Sequence, residues 1–199
     1  MQKSTEFNQQ LFAGEVKEEL LAQAVRVFLS NQRQATAKTK TRSEINRTKK
    51  KWFKQKGTGN ARHGARTPNI FVGGGVAHGP TGTQNYKRQL TVKMKTQALL
   101  SALALQADKT FVDDAFVKVD GKTKSAVKVC ADALKNDQRL LLVVDAKTPE
   151  MVRSYHNLSQ VFLTTSRYLN LMHVLNADQI ILSSAGAKAL ATRLLGEGK

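Results

Sequence analysis

The sequence predicts an α/β fold, a three-layer sandwich with a mainly parallel open sheet, plus a long extended basic loop inserted between two helices. Three observations carry this. Beyond residue 110, apolar runs of strand length alternate with runs of helical period, the order of βαβ units. The run LLLVV at Leu140–Val144 is apolar without alternation, as strands are when helices cover both faces of a parallel sheet. Between the first two helical patterns, residues 34–89 show neither period. The expected organisation is a globular α/β domain from 1–33 and 90–199, with 34–89 as the inserted loop.

The elements follow in order. Glu15 to Asn31 places Leu20, Leu21, Ala24, Val25, Phe28 and Leu29 on one side of a helix, with Glu15, Glu18 and Glu19 near its start, where the helix dipole favours acid. After the loop, Val92 to Ala107 reads as a second, strongly apolar helix that returns the chain to the domain. A strand is expected over Thr110–Phe116, a helix over Thr123–Leu134 with Thr123 as its N-cap, and a buried strand over Leu140–Val144. Val161–Thr164 reads as a weaker strand, Asn170–Leu175 as a short helix, Gln179–Leu182 as a buried strand and Ala185–Leu195 as a closing helix. Lys147–Ser159 fits neither period cleanly.

A chain of 199 residues suits one domain with a sizeable insertion. Its apolar fraction of 41% is low for a compact globule, in keeping with a segment that stays out of the core. The 32 Lys and Arg against 15 Asp and Glu give +17, which calls for a polyanionic partner, a nucleic acid or an anionic membrane. Residues 33–97 alone hold sixteen cations and one acid, so nearly all the excess lies there. The single Cys130 cannot form an intrachain disulfide, and an N-terminus carrying Glu6 and no apolar stretch resembles neither a signal nor a transit peptide. No window approaches the ~18 apolar residues of a membrane span. A reducing, cytoplasmic setting is expected.

Enzyme motifs fail on inspection. GTGNAR at Gly57–Arg62 has Arg62 in the third glycine's place of a dinucleotide fingerprint and no apolar strand before it. Gly121-Lys122-Thr123 ends like a phosphate loop, but the first glycine would have to be at Phe116. Ser183 and Ser184 lie outside any nucleophile elbow, and Cys130 sits within a helical pattern. His63, His78, His156 and His173 have no ligand-forming neighbours at metal spacing. No catalytic activity, cofactor or metal is expected.

The inserted segment has the ingredients for gripping RNA: cations for phosphates, rings for stacking and glycines for close backbone approach. Lys40, Arg42, Arg47, Lys49, Lys50, Lys51, Lys54, Lys56, Arg62, Arg66, Lys87 and Arg88 supply charge, and Lys93 and Lys95 continue it into the returning helix. Trp52, Phe53, Phe71 and Tyr86 supply rings, with His63 and His78 as further contacts. The only tryptophan, Trp52, lies in the most charged stretch, where its expected role is stacking on RNA or wedging against a partner surface. Some glycines are turn residues; the run Gly73, Gly74 and Gly75 would tolerate contacts that a Cβ blocks. The segment is expected to bury no core of its own. The apolar residues Ala37, Ile45, Trp52 and Phe53 make no amphipathic stripe, which favours RNA over a membrane surface.

KTRSEI at Lys40–Ile45, KQKGTGNARHG at Lys54–Gly64, RTPNIFVGGGVAHGPTG at Arg66–Gly82 and KMKTQALLSALA at Lys93–Ala104 closely resemble the ribosomal protein L four family of the large subunit, in its bacterial form. The resemblance covers about residues 38–105. It implies a structural constituent of the large subunit: a globular α/β domain on the surface, and a loop threaded into large-subunit ribosomal RNA. It further implies neighbouring large-subunit proteins as partners and an early role in assembly. The loop tip then falls at Gln55, Lys56, Gly57, Thr58, Gly59, Asn60, Ala61 and Arg62, beside the nascent peptide at the narrow part of the exit tunnel. Asn60 stands where the family commonly has Arg, one cation fewer at the tip, and Trp52-Phe53 where it often has Pro-Trp. The short N-terminus implies that the edge strand expected by resemblance is missing or abbreviated.

Overall fold

The computed structural model describes residues 2–3, 9–12 and 14–196. The chain divides into two compact units, Met1–Leu29 with Gln89–Lys199, and Ser30–Arg88.

The first unit is an α/β sandwich. Its sheet contains β1 (Gln2–Lys3), β2 (Thr110–Val112), β3 (Leu140–Val144), β4 (Val161–Thr165) and β5 (Gln179–Leu182), in the order β1-β2-β5-β3-β4. The last four are mutually parallel, and β1 pairs antiparallel with β2 at one edge. Of the two alternatives for the edge strand, missing or abbreviated, the structure has the second, this two-residue β1. Its α-helices are α1 (Gln9–Phe12), α2 (Glu18–Gln32), which carries the chain towards the second unit, α3 (Val92–Leu105), α4 (Thr123–Val129), α5 (Ala131–Lys135), α6 (Pro149–Tyr155), α7 (Leu171–Asn176) and α8 (Ser184–Leu195).

Every residue of β3 is buried, and the period-two alternation of its side chains feeds two separate cores. Leu141 and Val143 join Ile180 and Leu182 of β5 under α1, α2, α3, α7 and α8. Leu140, Leu142 and Val144 face the other way, with Ala126 of α4, Ala133 of α5, and Met151 and Tyr155 of α6. This two-sided covering is why LLLVV carries no polar position. Each fully buried Leu contributes about 1.5–3 kcal/mol by leaving water. In the second core the Tyr155 hydroxyl donates to the Phe116 carbonyl at 2.9 Å, so the one polar atom of that ring is satisfied.

Several elements differ from the sequence expectation. The helix expected from Glu15 starts at Glu18, and its apolar face is buried only at Leu21 and Ala24, with Leu29 51% exposed. The strand expected over Thr110–Phe116 ends at Val112, because Asp113 and Asp114 turn the chain into a 3-10 turn at Ala115–Val117 that buries Phe116. The helix expected over Thr123–Leu134 is two helices meeting at Cys130 (φ −97°, ψ 12°), and its N-cap is Lys122 rather than Thr123. The ambiguous stretch after Lys147 contains α6, capped by Thr148, whose side chain accepts from Met151 N at 3.3 Å, with Pro149 in the first turn.

Candidate nucleic-acid interface

Within the second unit the chain folds back on itself along an antiparallel path with few regular pairs. Asn31 faces Arg88 through two side-chain bonds, and Ser30 Oγ donates to the Tyr86 carbonyl at 2.6 Å. Lys38 bridges Thr81, Thr39 N donates to Pro80 O at 2.9 Å, and Val76 N donates to Lys40 O at 2.9 Å. Further along, Arg66 N reaches Thr48 O at 3.3 Å and Trp52 N reaches Gly64 O at 3.0 Å. The partners converge on an apex over residues 55–62, all exposed. Gly57 (φ +81°) and Gly59 (φ +68°) make the reversal there in the left-handed region, with open space around both. GTGNAR is therefore the tip of an arm, with no strand before it and no helix after it.

Below the apex four rings close a cluster. Trp52 meets Phe53 at 5.6 Å and Phe71 edge-on at 5.5 Å, and His63 meets Phe71 at 5.0 Å and Phe53 at 6.1 Å. Arg66 lies 4.4 Å from the Trp52 ring centroid, and nearer the base Arg33 lies 4.3 Å from that of Tyr86. The expectation that the segment has no core of its own is thus corrected in part: Phe53, His63 and Phe71 are half-buried in a small aromatic knot, while Trp52 keeps 45% of its surface exposed. The knot holds the two limbs together where hydrogen bonds are sparse.

The glycine run serves the arm itself. A Cβ on Gly74 would stand 1.9 Å from the Pro68 carbonyl oxygen, and one on Gly75 would stand 2.3 Å from Arg42 N. The close approach these glycines make is to the arm's own backbone. Arg47, half-buried, donates from Nη1 to the Val72 carbonyl at 2.7 Å and fastens the neighbouring turn.

The remaining cations point outward. Lys40, Arg42, Lys49, Lys50, Lys51, Lys54, Lys56, Arg62, Arg66, Lys87 and Arg88 are exposed, as is His78. Ser30–Arg88 contains fourteen Lys and Arg against one acid, Glu44. That carboxylate accepts from Thr41 N at 2.9 Å and Thr41 Oγ1 at 3.2 Å and pairs with Lys38 at 3.4 Å. The Thr41 amide, then the Lys38 ammonium, hold its pKa below the ordinary glutamate value. Glu44 therefore organises a turn and leaves the other cations uncompensated. Lys93 and Lys95 belong to the first unit, exposed in the first two turns of α3, where the helix dipole disfavours cations. Sequence reasoning missed Asn31 and Arg33; the signal was there, since both follow the last apolar residue of α2.

Other chemistry finds no setting. Cys130 is buried and its thiol is pushed up to about 11 by desolvation. Among the described residues no group of three metal-ligating side chains converges, and no helix is long and apolar enough to cross a membrane.

The sequence matches the model of the ribosomal protein L4/L1 family over residues 5–193. Among its curated relatives, the large ribosomal subunit protein uL4 of Aquifex pyrophilus is 37% identical over 180 residues, 89% of this chain and 90% of its own length. The protein of the same name from a Methylobacterium species is 38% identical over 193 residues, covering 96% of this chain and 92% of the relative. That of Deinococcus deserti is 38% identical over 174 residues, 85% and 84% respectively. A family match across nearly the whole chain, with the α/β sandwich and the inserted arm in place, means that this chain belongs to the ribosomal protein L4/L1 family.

Proposed function

We propose that the arm of residues 30–88 is the RNA-binding element of this protein, that it grips large-subunit ribosomal RNA, and that its apex over Gln55–Arg62 lines the nascent-peptide exit tunnel. As a member of its family the chain is a structural constituent of the large ribosomal subunit and not an enzyme. The observation that carries the RNA reading is the arm's charge arrangement. Arg47 and Lys38 are engaged within the arm, by the Val72 carbonyl and by Glu44, while most of its other cations are exposed and no second carboxylate lies among them. Such an array repels itself and is stabilised by phosphates. Lys93 and Lys95 support the same reading, since their place at the start of α3 is unfavourable for the helix alone.

The apex adds a second requirement. Exposed residues over left-handed glycines suit a narrow site better than a broad docking face, and the family resemblance gives that site as the tunnel wall. Neighbouring large-subunit proteins, an early part in subunit assembly and a cytoplasmic location complete the proposal.

The test is equilibrium binding of the purified chain to a large-subunit RNA fragment across a salt series. If about ten phosphates are neutralised, log K falls against log salt with a slope of roughly −7 to −9. Salt-insensitive binding overturns the reading. Retention on large subunits sedimented in high salt separates a ribosomal constituent from a free RNA chaperone. A photo-crosslinking residue at Thr58 should label the nascent chain on stalled ribosomes; labelling of RNA alone removes the tunnel assignment.

A further inference from the structure

Phe162 lies 51% exposed on β4, the strand that forms the far edge of the sheet. β4 reads Val-Phe-Leu-Thr-Thr and pairs with β3 in unbroken register from Val161 to Thr165. Free edges invite pairing with other chains, and proteins ordinarily blunt them with lysine, proline, a bulge or a covering element. These five residues contain no charge, no proline and no bulge.

The outward hydrogen-bonding groups follow from the ladder. In a parallel strand the N–H and C=O of one residue point to the same side, and those of the next residue to the other. Gln160 O accepts from Leu140 N at 2.8 Å and Ser166 N donates to Val144 O at 2.8 Å, so the even-numbered residues face β3. The N–H and C=O of Leu163 therefore face away from the sheet, as do the Val161 C=O and the Thr165 N–H. The Val161 N–H and the Thr165 C=O are engaged locally, by Leu158 O and by Tyr168 N and Leu169 N. What remains is a row of two donors and two acceptors at strand spacing.

Two cavities flank this row on opposite faces of the sheet. One, of about 250 Å³, lies on the α7 side and is lined by Arg139, Met172 and His173 among others. The other, of about 190 Å³, lies on the α6 side and is lined by Lys147, Val152 and His156 among others. Phe162 borders both, its ring 4.6 Å from that of His173. Side chains along a strand alternate between faces, so a strand added beside β4 would place successive residues in the two cavities. Neither lining contains a carboxylate. Arg139 is shared with Asp178 at 3.5 Å, which leaves Lys147 as the cation open to an acidic partner.

We propose that the β4 edge is a docking site for an extended segment of another protein, apolar at the alternating positions that meet the cavities and acidic at its flanks, bound by strand addition.

The test uses the full chain and a fluorescein-labelled ten-residue peptide with alternating Val and Thr at its centre and Asp and Glu at its ends. Its control is the same peptide N-methylated along the central backbone, equal in charge. Saturable binding is expected, with amide shifts at Leu163 and Thr165, and about tenfold weaker binding on N-methylation, which removes main-chain hydrogen bonds. Phe162→Lys, at an exposed position, should weaken binding similarly, and Lys147→Glu severalfold without altering the melting transition. Equal binding of both peptides would mean attraction by charge alone and would overturn the proposal. So would RNA shifting the same two amides in place of the peptide, or a peptide-free dimer abolished by Phe162→Lys, which would put a second copy on the edge.

Discussion

The side-chain amide of Asn31 pairs with both main-chain groups of Arg88: Arg88 N donates to Oδ1 at 2.7 Å, and Nδ2 donates to Arg88 O at 3.1 Å. A side chain in the last turn of α2 thus takes the part of a strand residue at the base of the arm, where no sheet exists to close the loop. Closing so long a loop costs only logarithmically more than closing a short one, so a two-bond contact at its base is enough to matter.

Replacing Asn31 by Leu should open this base selectively. Each lost bond, at an exposed site, is worth about 0.5–1.5 kcal/mol. Exchange of the Arg88 amide is expected to quicken about tenfold, while the main melting transition moves by no more than a degree or two. A large fall in that transition would mean that the base belongs to the folding unit of the domain.

Gly74→Ala should be more damaging to the arm than any single Lys→Ala, although it removes no charge. Its Cβ would meet the Pro68 carbonyl oxygen at 1.9 Å, which only a shift of backbone can relieve. The expected result is loss of the Trp52 fluorescence environment set by Phe71 and Arg66, weaker RNA binding, and an unchanged salt slope, because the number of cations is the same. A changed slope with intact fluorescence would place the glycine against phosphate instead.

Acid should undo the turn at Thr41–Glu44 before it touches the sheet. The Glu44 carboxylate is favoured in the folded turn by the Thr41 amide and by Lys38, so its pKa lies below the ordinary value. Its contribution is full above the ordinary glutamate value and is lost as the pH falls through the lower folded one. In an NMR titration the Thr41 amide should shift with a midpoint below the ordinary glutamate range, and Glu44→Gln should abolish that step. A midpoint at or above the ordinary value contradicts the turn.

How much of this was legible in the sequence depends on whether the cause was local. β3 and β5 could be read from LLLVV and QIIL because two-sided burial leaves a continuous apolar run. Helix α6 was missed for lack of apolar period over seven residues, although Thr148-Pro149-Glu150 is a helix start in its own right. The break at Cys130 leaves no trace in the apolar pattern, since α4 and α5 continue facing one core. In the arm, the charge and the rings were plain, but their arrangement was not. That Trp52 packs on Phe71, or that Gly75 lies against Arg42, depends on contacts across 19 and 33 residues with no period to signal them.

Burial also sets the reactivity of Cys130. Its thiol, pushed up to about 11, is almost wholly protonated at neutral pH, and the thiolate is the reacting form. Aromatic disulfide reagents should leave the native chain unmodified and react fully once denaturant unfolds the second core. Rapid native labelling would show the α4–α5 junction to open on its own.

Removing Lys51–Arg66 separates the arm's chemistry from the domain's stability. The cut is geometrically mild, because Thr48 and Arg66 already face each other across the arm at 3.3 Å, so a short Gly-containing turn can rejoin the limbs. Both hydrophobic cores lie in the first unit and take no residue from the deleted stretch. Cooperative unfolding should therefore persist with a similar midpoint. The deletion takes away Lys51, Lys54, Lys56, Arg62 and Arg66, five cations. If each neutralises a phosphate, the slope of log K against log salt should become shallower by about 3.5–4.5. A deletion that binds RNA with the parent's slope would move the interface off the apex half of the arm, and one that unfolds without cooperativity would make the aromatic knot part of the folding core.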